Sequence, residues 1–314
     1  MLIHPLTRLV LVARTMEKAT YAKEQVKQYL PSQEKFFLEN LIPLECEQSS
    51  LQSVRNFAID LRKKLDETYT TQKWLHNGID VLCLNAAVLM GDDSKAVFTE
   101  DGLETTFQVN HLAPYLIARL TENMLNPGAR VIFSTSGLHI GQKLNFHGMV
   151  DPITGHVRKG FEMMDGSNFH FKQSYSISKL CNVAICAHLN RRLQAKNKGM
   201  LSNCFSPGLM TTSGLFRNQT NAAHPIPDHK RKTLRCKEKT VEWGAGSLVY
   251  MAIANETGVH GGEYWRDESM AGAAAVYGKE FFGIPILEDT IEQSKQELLW
   301  MLSSELTGIP VDIR

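Results

Sequence analysis

Short apolar runs alternate with longer amphipathic stretches along most of the chain. Five runs rich in aliphatic and β-branched residues predict buried strands, at residues 8–14, 41–46, 79–84, 129–134 and 200–205. Apolar residues at helical spacing predict helices at 16–30, 51–65, 103–120, 174–193, 241–254 and 291–306. A short strand at 262–265 completes the pattern.

This alternation of strands and helices is typical of a parallel sheet that helices cover on both faces. The sequence therefore predicts an α/β fold with a doubly wound parallel sheet. No linker interrupts the pattern, so residues 1–314 are expected to form a single domain. Residues 137–173 stand out as a long irregular insertion.

Composition and charge narrow the range of possible functions. The chain has 314 residues, 43% of them hydrophobic and 21% charged, with a formal net charge of +1. This charge provides no overall field for nucleic acid or an anionic membrane, so no nucleic-acid partner is expected. The six cysteines include no CxxC pair and no metal-ligand spacing, so no metal is expected.

Three sequence features bear on whether the chain contacts a membrane. No apolar run approaches the ~20 residues that a membrane-spanning helix needs. Residues 1–7 resemble neither a secretory signal nor a transit peptide. The polar, basic stretch at 217–239 fits a solvated loop, or else peripheral contact with a membrane surface or an acidic partner.

Tyr175 and Lys179 are the strongest candidates for chemistry. On a helix, their spacing of four places both side chains on one face. A phenol has a pKa of about 10 and is a poor proton donor at neutral pH, but a nearby ammonium lowers that pKa. The pair is therefore a candidate general acid/base. Tyr69 and Lys73 have the same spacing, so the spacing alone is not specific.

Polar residues placed after the predicted strands strengthen this candidate. Three of the strands run directly into Asn85-Ala86-Ala87, Thr135-Ser136 and Pro207-Gly208. Asn110 lies within a predicted helix, although Asn is a poor helix former, which favours a role other than helix formation. Ligands of such sheets bind beyond the carboxyl ends of the strands, so these segments are expected to surround one site.

These motifs together resemble the short-chain dehydrogenase/reductase family. They follow the family's order: Asn85-Ala-Ala, Asn110-His111, Thr135-Ser136, Tyr175-x-x-x-Lys179 and Pro207-Gly208-x-x-x-Thr212. The chain is also similar to one branch, the light-dependent protochlorophyllide reductases. That likeness lies in Phe98-Thr-x-Asp-Gly-Leu-Glu104, Met164-Asp-Gly-x-x-Phe169, Ser178-Lys-Leu-Cys-Asn182 and Thr211-Thr-x-Gly-Leu-Phe216. Retinol dehydrogenases and related carbonyl reductases share many of these motifs.

The resemblance implies a Rossmann-like NAD(P)-binding domain and an NADPH-dependent oxidoreductase. Its catalytic residues would be Tyr175, Lys179, Ser136 and Asn110. The cofactor would be bound by Arg14, Lys18, Asn85, Ala86, Tyr175, Lys179, Pro207 and Thr211. Arg14 directly follows a strand, and a guanidinium binds phosphate in a bidentate manner, which fits the 2′-phosphate of NADPH.

Three functions remain open at this point. The reductase branch would transfer hydride to a pigment double bond in light, as in chlorophyll biosynthesis, and would place the protein in a plastid. A dark carbonyl or alcohol dehydrogenase would act on a retinoid, steroid or similar lipid and would be cytoplasmic. Leu209 favours the second, because the reductase branch has a cysteine after this Pro-Gly. The third is a non-enzymatic truncated remnant. A small apolar substrate and a homo-oligomer are compatible with both enzymes.

The N-terminal part departs from the family, which opens with a strand, a glycine-rich turn and a helix that hold the cofactor pyrophosphate. Here no glycine occurs before Gly78, and the strand at 8–14 matches the family's second strand. The domain is therefore expected to lack its first strand and helix. The strands on either side would leave a gap or pair anew, which predicts low stability and weak NADPH binding.

Overall fold

The computed structural model describes residues 8–29, 40–71, 77–91, 95–146, 169–217, 238–267, 281–286 and 291–311. Most of the predicted insertion, the Met164-Asp-Gly motif and nearly all of the basic stretch lie outside these residues. The same holds for Lys73 and the side chain of Tyr69.

The described strands form two sheets. They are β1 (Leu9–Ala13), β2 (Leu41–Glu45), β3 (Ile79–Leu84), β4 (Leu125–Ser134), β5 (Leu201–Phe205), β6 (Glu263–Asp267) and β7 (Phe281–Pro285). One sheet is the pair β1-β2, and the other has the order β3-β4-β5-β6-β7. All neighbours are parallel except β6 and β7. The predicted α/β fold with a mainly parallel sheet is confirmed.

The antiparallel strand β7 is absent from the sequence-based prediction. Its five residues include Gly283 and end at Pro285, and both residue types are typical of turns rather than strand interiors. The strand forms nonetheless because its whole length pairs with β6 at the edge of the sheet. An edge is the position in a sheet that tolerates proline.

Helices follow the predicted order with shifted ends. They are α1 (Met16–Tyr29), α2 (Leu51–Thr71), α4 (Phe171–Gln194), α5 (Val241–Ile253) and α6 (Gln293–Thr307). Helix α3 has three consecutive segments, Thr105–Phe107, Gln108–Leu112 and Ala113–Thr121, and the middle one is π-helical. Helix α4 begins inside the stretch predicted to be irregular.

Helices cover both faces of the five-stranded sheet. Neighbouring residues of one strand therefore pack in different cores, since successive side chains point to opposite faces. Phe133 of β4 lies in the main apolar core, with buried residues of α2, α3, α4 and α6. Its neighbour Ile132 packs on the other face, with Phe205 of β5 and Met251 of α5. Helix α4 is buried along most of its length, so any side chain that it presents at the sheet edge has a fixed position.

No described strand joins the two sheets, so a gap interrupts the strand pairing between β1 and β3. Among the described residues, β1 pairs only with β2, and β3 pairs on one side only, with β4. Arg8 and Asp80, which lie next to the amino ends of β1 and β3, interact electrostatically. Val12 of β1 is 46% exposed and Cys83 of β3 is exposed. Of the two expected outcomes, the structure has the gap and not a new pairing of β1 with β3.

This gap predicts weak protection of its two edges. Amide protons on the open edges of β1 and β3 should exchange at least about tenfold faster than those of β4 and β5, because a lost hydrogen bond costs about 1–3 kcal/mol. Hydrogen exchange measured by NMR on residues 1–314 checks this, with the doubly paired strands β4 and β5 as the internal reference. Equal protection of all four strands would contradict an open gap.

Candidate active site

Helix α4 places Tyr175 and Lys179 against the carboxyl end of β4. Both side chains are buried, at 5% and 2% exposure. The Lys179 Nζ donates a hydrogen bond of 3.0 Å to the backbone carbonyl of Ser134, and it lies 5.6 Å from the centroid of the Tyr175 ring. The helical spacing therefore brings the two groups together at the edge of the sheet where ligands of this fold bind.

Ser136 completes the arrangement around the phenol. Its backbone is extended, with φ −152° and ψ 144°, and its Oγ accepts a hydrogen bond of 3.3 Å from the Leu138 amide. The Ser136 side chain also hydrogen-bonds Tyr175 and lowers the pKa of that phenol. Because its Oγ already accepts from Leu138, the Ser136 hydroxyl can donate its proton to the phenol oxygen.

Asn110 connects three elements from the π-helical segment of α3. Its Oδ1 accepts from the Val88 amide at 2.7 Å, and its Nδ2 donates to the Val88 carbonyl at 2.9 Å. The same Nδ2 donates to Ser178 Oγ at 3.1 Å. The side chain is fully buried. Asn110 thus holds the segment after β3 against the helix that carries Tyr175, and π-helical turns of this kind are frequent at functional sites.

Burial dominates the protonation of the central pair. It raises the pKa of Tyr175 to about 12, against the opposing effect of Ser136. It lowers the pKa of Lys179 to about 7. Both shifts favour the neutral forms, because burial penalises charge. The expected lowering of the Tyr175 pKa by Lys179 is therefore wrong for this structure, because burial raises that pKa and the effect that opposes it comes from Ser136.

The residues expected to bind the cofactor lie in three places. Asn85 and Ala86 are exposed directly beyond β3. Arg14 and Lys18 are exposed beyond the end of β1, which belongs to the other sheet. Pro207 and Thr211 follow β5. The Thr211 hydroxyl already donates to Glu238, so only its lone pairs remain for a ligand.

Sequence reasoning missed Ser134. Its hydroxyl donates to Asn85 Oδ1 at 2.7 Å, while its carbonyl accepts from Lys179. Ser134 therefore joins the end of β3 to the buried amine. In the sequence it is the last residue of a predicted apolar strand. The one available signal of a functional role was the run of three hydroxyl residues, Ser134-Thr135-Ser136, that it begins.

One motif shared with the reductase branch has a structural role here. The Glu104 carboxylate accepts from the amides of Thr106 and Phe107 and caps α3. Asp101 accepts from the Leu51 amide at the start of α2, at 2.8 Å. These contacts stabilise two helix N-termini, so Asp101 and Glu104 have a structural role in this motif.

Apolar side chains surround the phenol. Leu89 and Phe171 form a buried cluster with Tyr175, and partly buried side chains pack against it, namely Met90, Phe169, Leu215 and Phe216. Leu209 lies just beyond β5, where its carbonyl accepts from the Lys239 amide at 2.7 Å. A group that reaches the Tyr175 hydroxyl would therefore meet an apolar wall.

Two further findings concern the described part of the chain. No group of three or more His, Cys, Asp or Glu side chains there could hold a metal ion. Each helix there is too short or too polar to span a membrane.

Comparisons with known proteins place this geometry in context. No protein-family model matches the chain. The chloroplastic protochlorophyllide reductase of Marchantia paleacea is 27% identical over 281 residues, which cover 85% of this chain and 56% of the relative. The WW domain-containing oxidoreductase of Gallus gallus is 27% identical over 270 residues, which cover 82% and 55%. The chain spans little more than half the length of these relatives.

Solved structures share the fold at lower identity. An uncharacterized protein from Mycobacterium paratuberculosis is 19% identical with a TM-score of 0.58, over 98% of this chain and 95% of that one. The NADP complex of RhlG from Pseudomonas aeruginosa is 16% identical with a TM-score of 0.54, over 82% and 83%. A short chain dehydrogenase from Salmonella enterica serovar Typhi is 15% identical with a TM-score of 0.50, over 82% and 84%.

The chain is similar to curated oxidoreductases in sequence and shares the fold of short-chain dehydrogenases. The resemblance that its motifs carry is thereby confirmed. The roles of the individual site residues stay predictions.

The buried amine of Lys179 predicts a pH-dependent stability. In the unfolded chain its pKa is the usual 10.5, against about 7 when folded. Below pH 7 both states carry the proton, and the penalty of burying the charge is fully present. Between about 7 and 10.5 the unfolded state binds more protons at this position, so the contribution of Lys179 to the free energy of unfolding should rise, by up to about 1.4 kcal/mol per pH unit. Buried thiols such as Cys181, whose pKa burial raises, act in the opposite direction above about pH 9, so the contribution of Lys179 is read as the difference from a variant that lacks the amine.

Chemical denaturation at several pH values tests this with two variants. Lys179→Met should lack this rise, because it has no amine to titrate. Lys172→Met is the matched control, an exposed lysine in the same helix, and should keep the rise. Identical pH profiles for wild type and Lys179→Met would contradict the burial of a neutral amine.

Proposed function

We propose that the protein is an NADPH-dependent oxidoreductase of the short-chain type. The observation that carries this proposal is the meeting of Tyr175, Ser136, Lys179 and Asn110 at the carboxyl ends of β3 and β4. Most other functions give no reason to bury a lysine beside a tyrosine at the ligand-binding edge of a parallel sheet. The NADP complex among the structural neighbours supports the choice of cofactor.

The described residues fit the reacting half of NADPH better than its pyrophosphate. Lys179, Tyr175 and the exposed Asn85 would hold the nicotinamide and its ribose, and the exposed Arg14 would contact the 2′-phosphate. The glycine-rich turn that the family uses for the pyrophosphate has no counterpart among the described residues, where the gap between β1 and β3 lies instead. Weak NADPH binding by residues 1–314 is therefore part of this proposal.

The chemistry divides between cofactor and protein. NADPH supplies a hydride, that is, two electrons and one hydrogen. Tyr175 holds the second hydrogen as a proton, since burial keeps its hydroxyl protonated. Ser136 orients that hydroxyl by a hydrogen bond, and the Lys179 amine lies ready to stabilise the phenolate that remains after proton transfer.

The apolar wall around Tyr175 supports an apolar substrate. We favour the light-driven reduction of a pigment double bond, as in protochlorophyllide reductases, because relatives of that name recur among the curated matches. A dark carbonyl reductase for a retinoid or steroid is the second candidate, favoured by Leu209. The gap at β1 favours a remnant without activity.

Tyr175→Phe should lower kcat at least about a hundredfold, since general acid–base catalysis contributes roughly 10²–10⁴-fold. NADPH affinity should change little, because only a hydroxyl is removed. Steady-state kinetics checks both values. Tyr69→Phe, which shares the spacing to a lysine, is the matched control and should behave as wild type. Equal effects of the two changes would refute the assignment of Tyr175.

Arg14→Ala should weaken NADPH binding about tenfold or more and leave NADH binding nearly unchanged. The reason is that NADH lacks the 2′-phosphate, and one charge-assisted hydrogen bond contributes about 1.5–3 kcal/mol. Titration calorimetry with both cofactors measures the difference, with Arg62→Ala in α2 as the control. An equal loss for both cofactors would make Arg14 a structural residue.

Light separates the two enzymatic candidates. One preparation is incubated with NADPH and protochlorophyllide, sampled in darkness and sampled again after a flash. The pigment reductase predicts chlorophyllide only after the flash. Turnover of a retinoid or steroid carbonyl in darkness, with no pigment product, would reject it in favour of the carbonyl reductase.

A further inference from the structure

A second set of buried polar groups contacts the backbone of Asn110, separately from the three contacts of its side chain. Asn182, one helical turn after Ser178 in α4, donates from Nδ2 to the backbone carbonyl of Asn110 at 2.8 Å. Asn182 is 1% exposed. A π-helical turn disturbs the regular carbonyl pairing of a helix, and here a side chain from another helix binds one of its carbonyls.

The contact continues through His111 to the C-terminal helix. His111 Nδ1 lies 3.3 Å from Asn182 Oδ1, and His111 Nε2 lies 2.9 Å from Ser303 Oγ in α6. His111 and Ser303 are fully buried. Burial lowers the pKa of His111 to about 4, so the imidazole is neutral near pH 7 and carries one ring proton.

Donor and acceptor roles leave two arrangements of these protons. In one, Nε2 donates to Ser303 Oγ and Ser303 donates to the Leu299 carbonyl, but two acceptors, Nδ1 and Asn182 Oδ1, then face each other at 3.3 Å. The other makes every contact of Asn182 a hydrogen bond and is therefore favoured. The Asn110 carbonyl only accepts, so Asn182 must turn its amide nitrogen toward it and its Oδ1 toward His111. The Oδ1 also only accepts, so in the favoured arrangement the ring proton lies on Nδ1. Nε2 then accepts the Ser303 hydroxyl proton, which otherwise goes to the Leu299 carbonyl at 2.7 Å. The orientation of Asn182 therefore selects the tautomer of His111.

We propose that Asn182 is a positioning residue, which holds the π-helical turn so that the Asn110 side chain can join Val88 to Ser178. The three contacts of the Asn110 side chain are 2.7 to 3.1 Å long, and each depends on where its backbone lies. Asn182 fixes that backbone directly. The effect on catalysis rests on the proposed function, whereas the effect on structure does not.

The His111 tautomer provides a test that needs no substrate. In wild-type protein labelled with ¹⁵N-histidine, the ring shifts should show His111 protonated on Nδ1. In Asn182→Leu, which keeps the volume and removes both bonds, the proton should move to Nε2 and bind Ser303 Oγ. Asn203→Leu is the matched control, since Asn203 is also buried and donates to two backbone carbonyls, but in β5. It should leave His111 unchanged.

Exchange of the Asn110 side-chain amide gives the second readout. In Asn182→Leu its amide protons should exchange about tenfold faster or more, because loss of a buried hydrogen bond costs about 1–3 kcal/mol. Asn203→Leu should lower stability without this local change. Unchanged exchange in a folded Asn182→Leu variant would overturn the proposal. A wild-type His111 protonated on Nε2 would overturn it without any variant, so the test stands even if Asn182→Leu does not fold.

Kinetics separates this proposal from the proposed function. The assay uses NADPH with protochlorophyllide in light, or with retinal in darkness. Asn182→Leu should lower kcat about tenfold, because one buried hydrogen bond that positions Asn110 is lost. The KM for NADPH should change less than twofold. An unchanged kcat would overturn the positioning role. If wild type turns over neither substrate, the proposed function fails, and the tautomer and the amide exchange still decide whether Asn182 holds Asn110.

Discussion

The side chain of Asn110 is the contact on which the rest of the site depends. It joins the segment after β3, the π-helical turn of α3 and the helix α4 through three short hydrogen bonds. An unpaired buried amide would cost about 1–3 kcal/mol for each lost bond, so the three elements are held together strongly. Tyr175 and Lys179 owe their fixed position to this contact and to the burial of α4.

The gap between β1 and β3 limits what this geometry can do. The candidate catalytic groups lie at the carboxyl ends of strands in the five-stranded sheet, whereas Arg14 and Lys18 follow a strand of the two-stranded sheet. Under the proposed function, a dinucleotide would have to reach both. The reacting half of the site is therefore well ordered by hydrogen bonds, while its distance to Arg14 depends on how the two sheets pack through α2 and the shared core.

Sequence reasoning predicted the fold, which is confirmed, and the proximity of Tyr175 and Lys179, because both have local signals. Periodicity predicts the strands, and a spacing of four predicts that Tyr175 and Lys179 share a face. The contacts of Ser134 and Asn182 cannot be predicted from local patterns, since their partners lie 45 and 72 residues away in the chain. Asp101 and Glu104 belong to the motif that resembles the reductase branch, and their contacts here are with the N-termini of α2 and α3. The pairing of β7 likewise depends on a neighbour that no local pattern reveals.

Hydrogen exchange with and without saturating NADPH tests the central claim most directly. If the site around Tyr175 binds the cofactor, protection should concentrate at residues 85–91, 134–140 and 206–211, beyond the carboxyl ends of β3, β4 and β5. Protection confined to other segments, or no protection at saturating NADPH, would contradict the account.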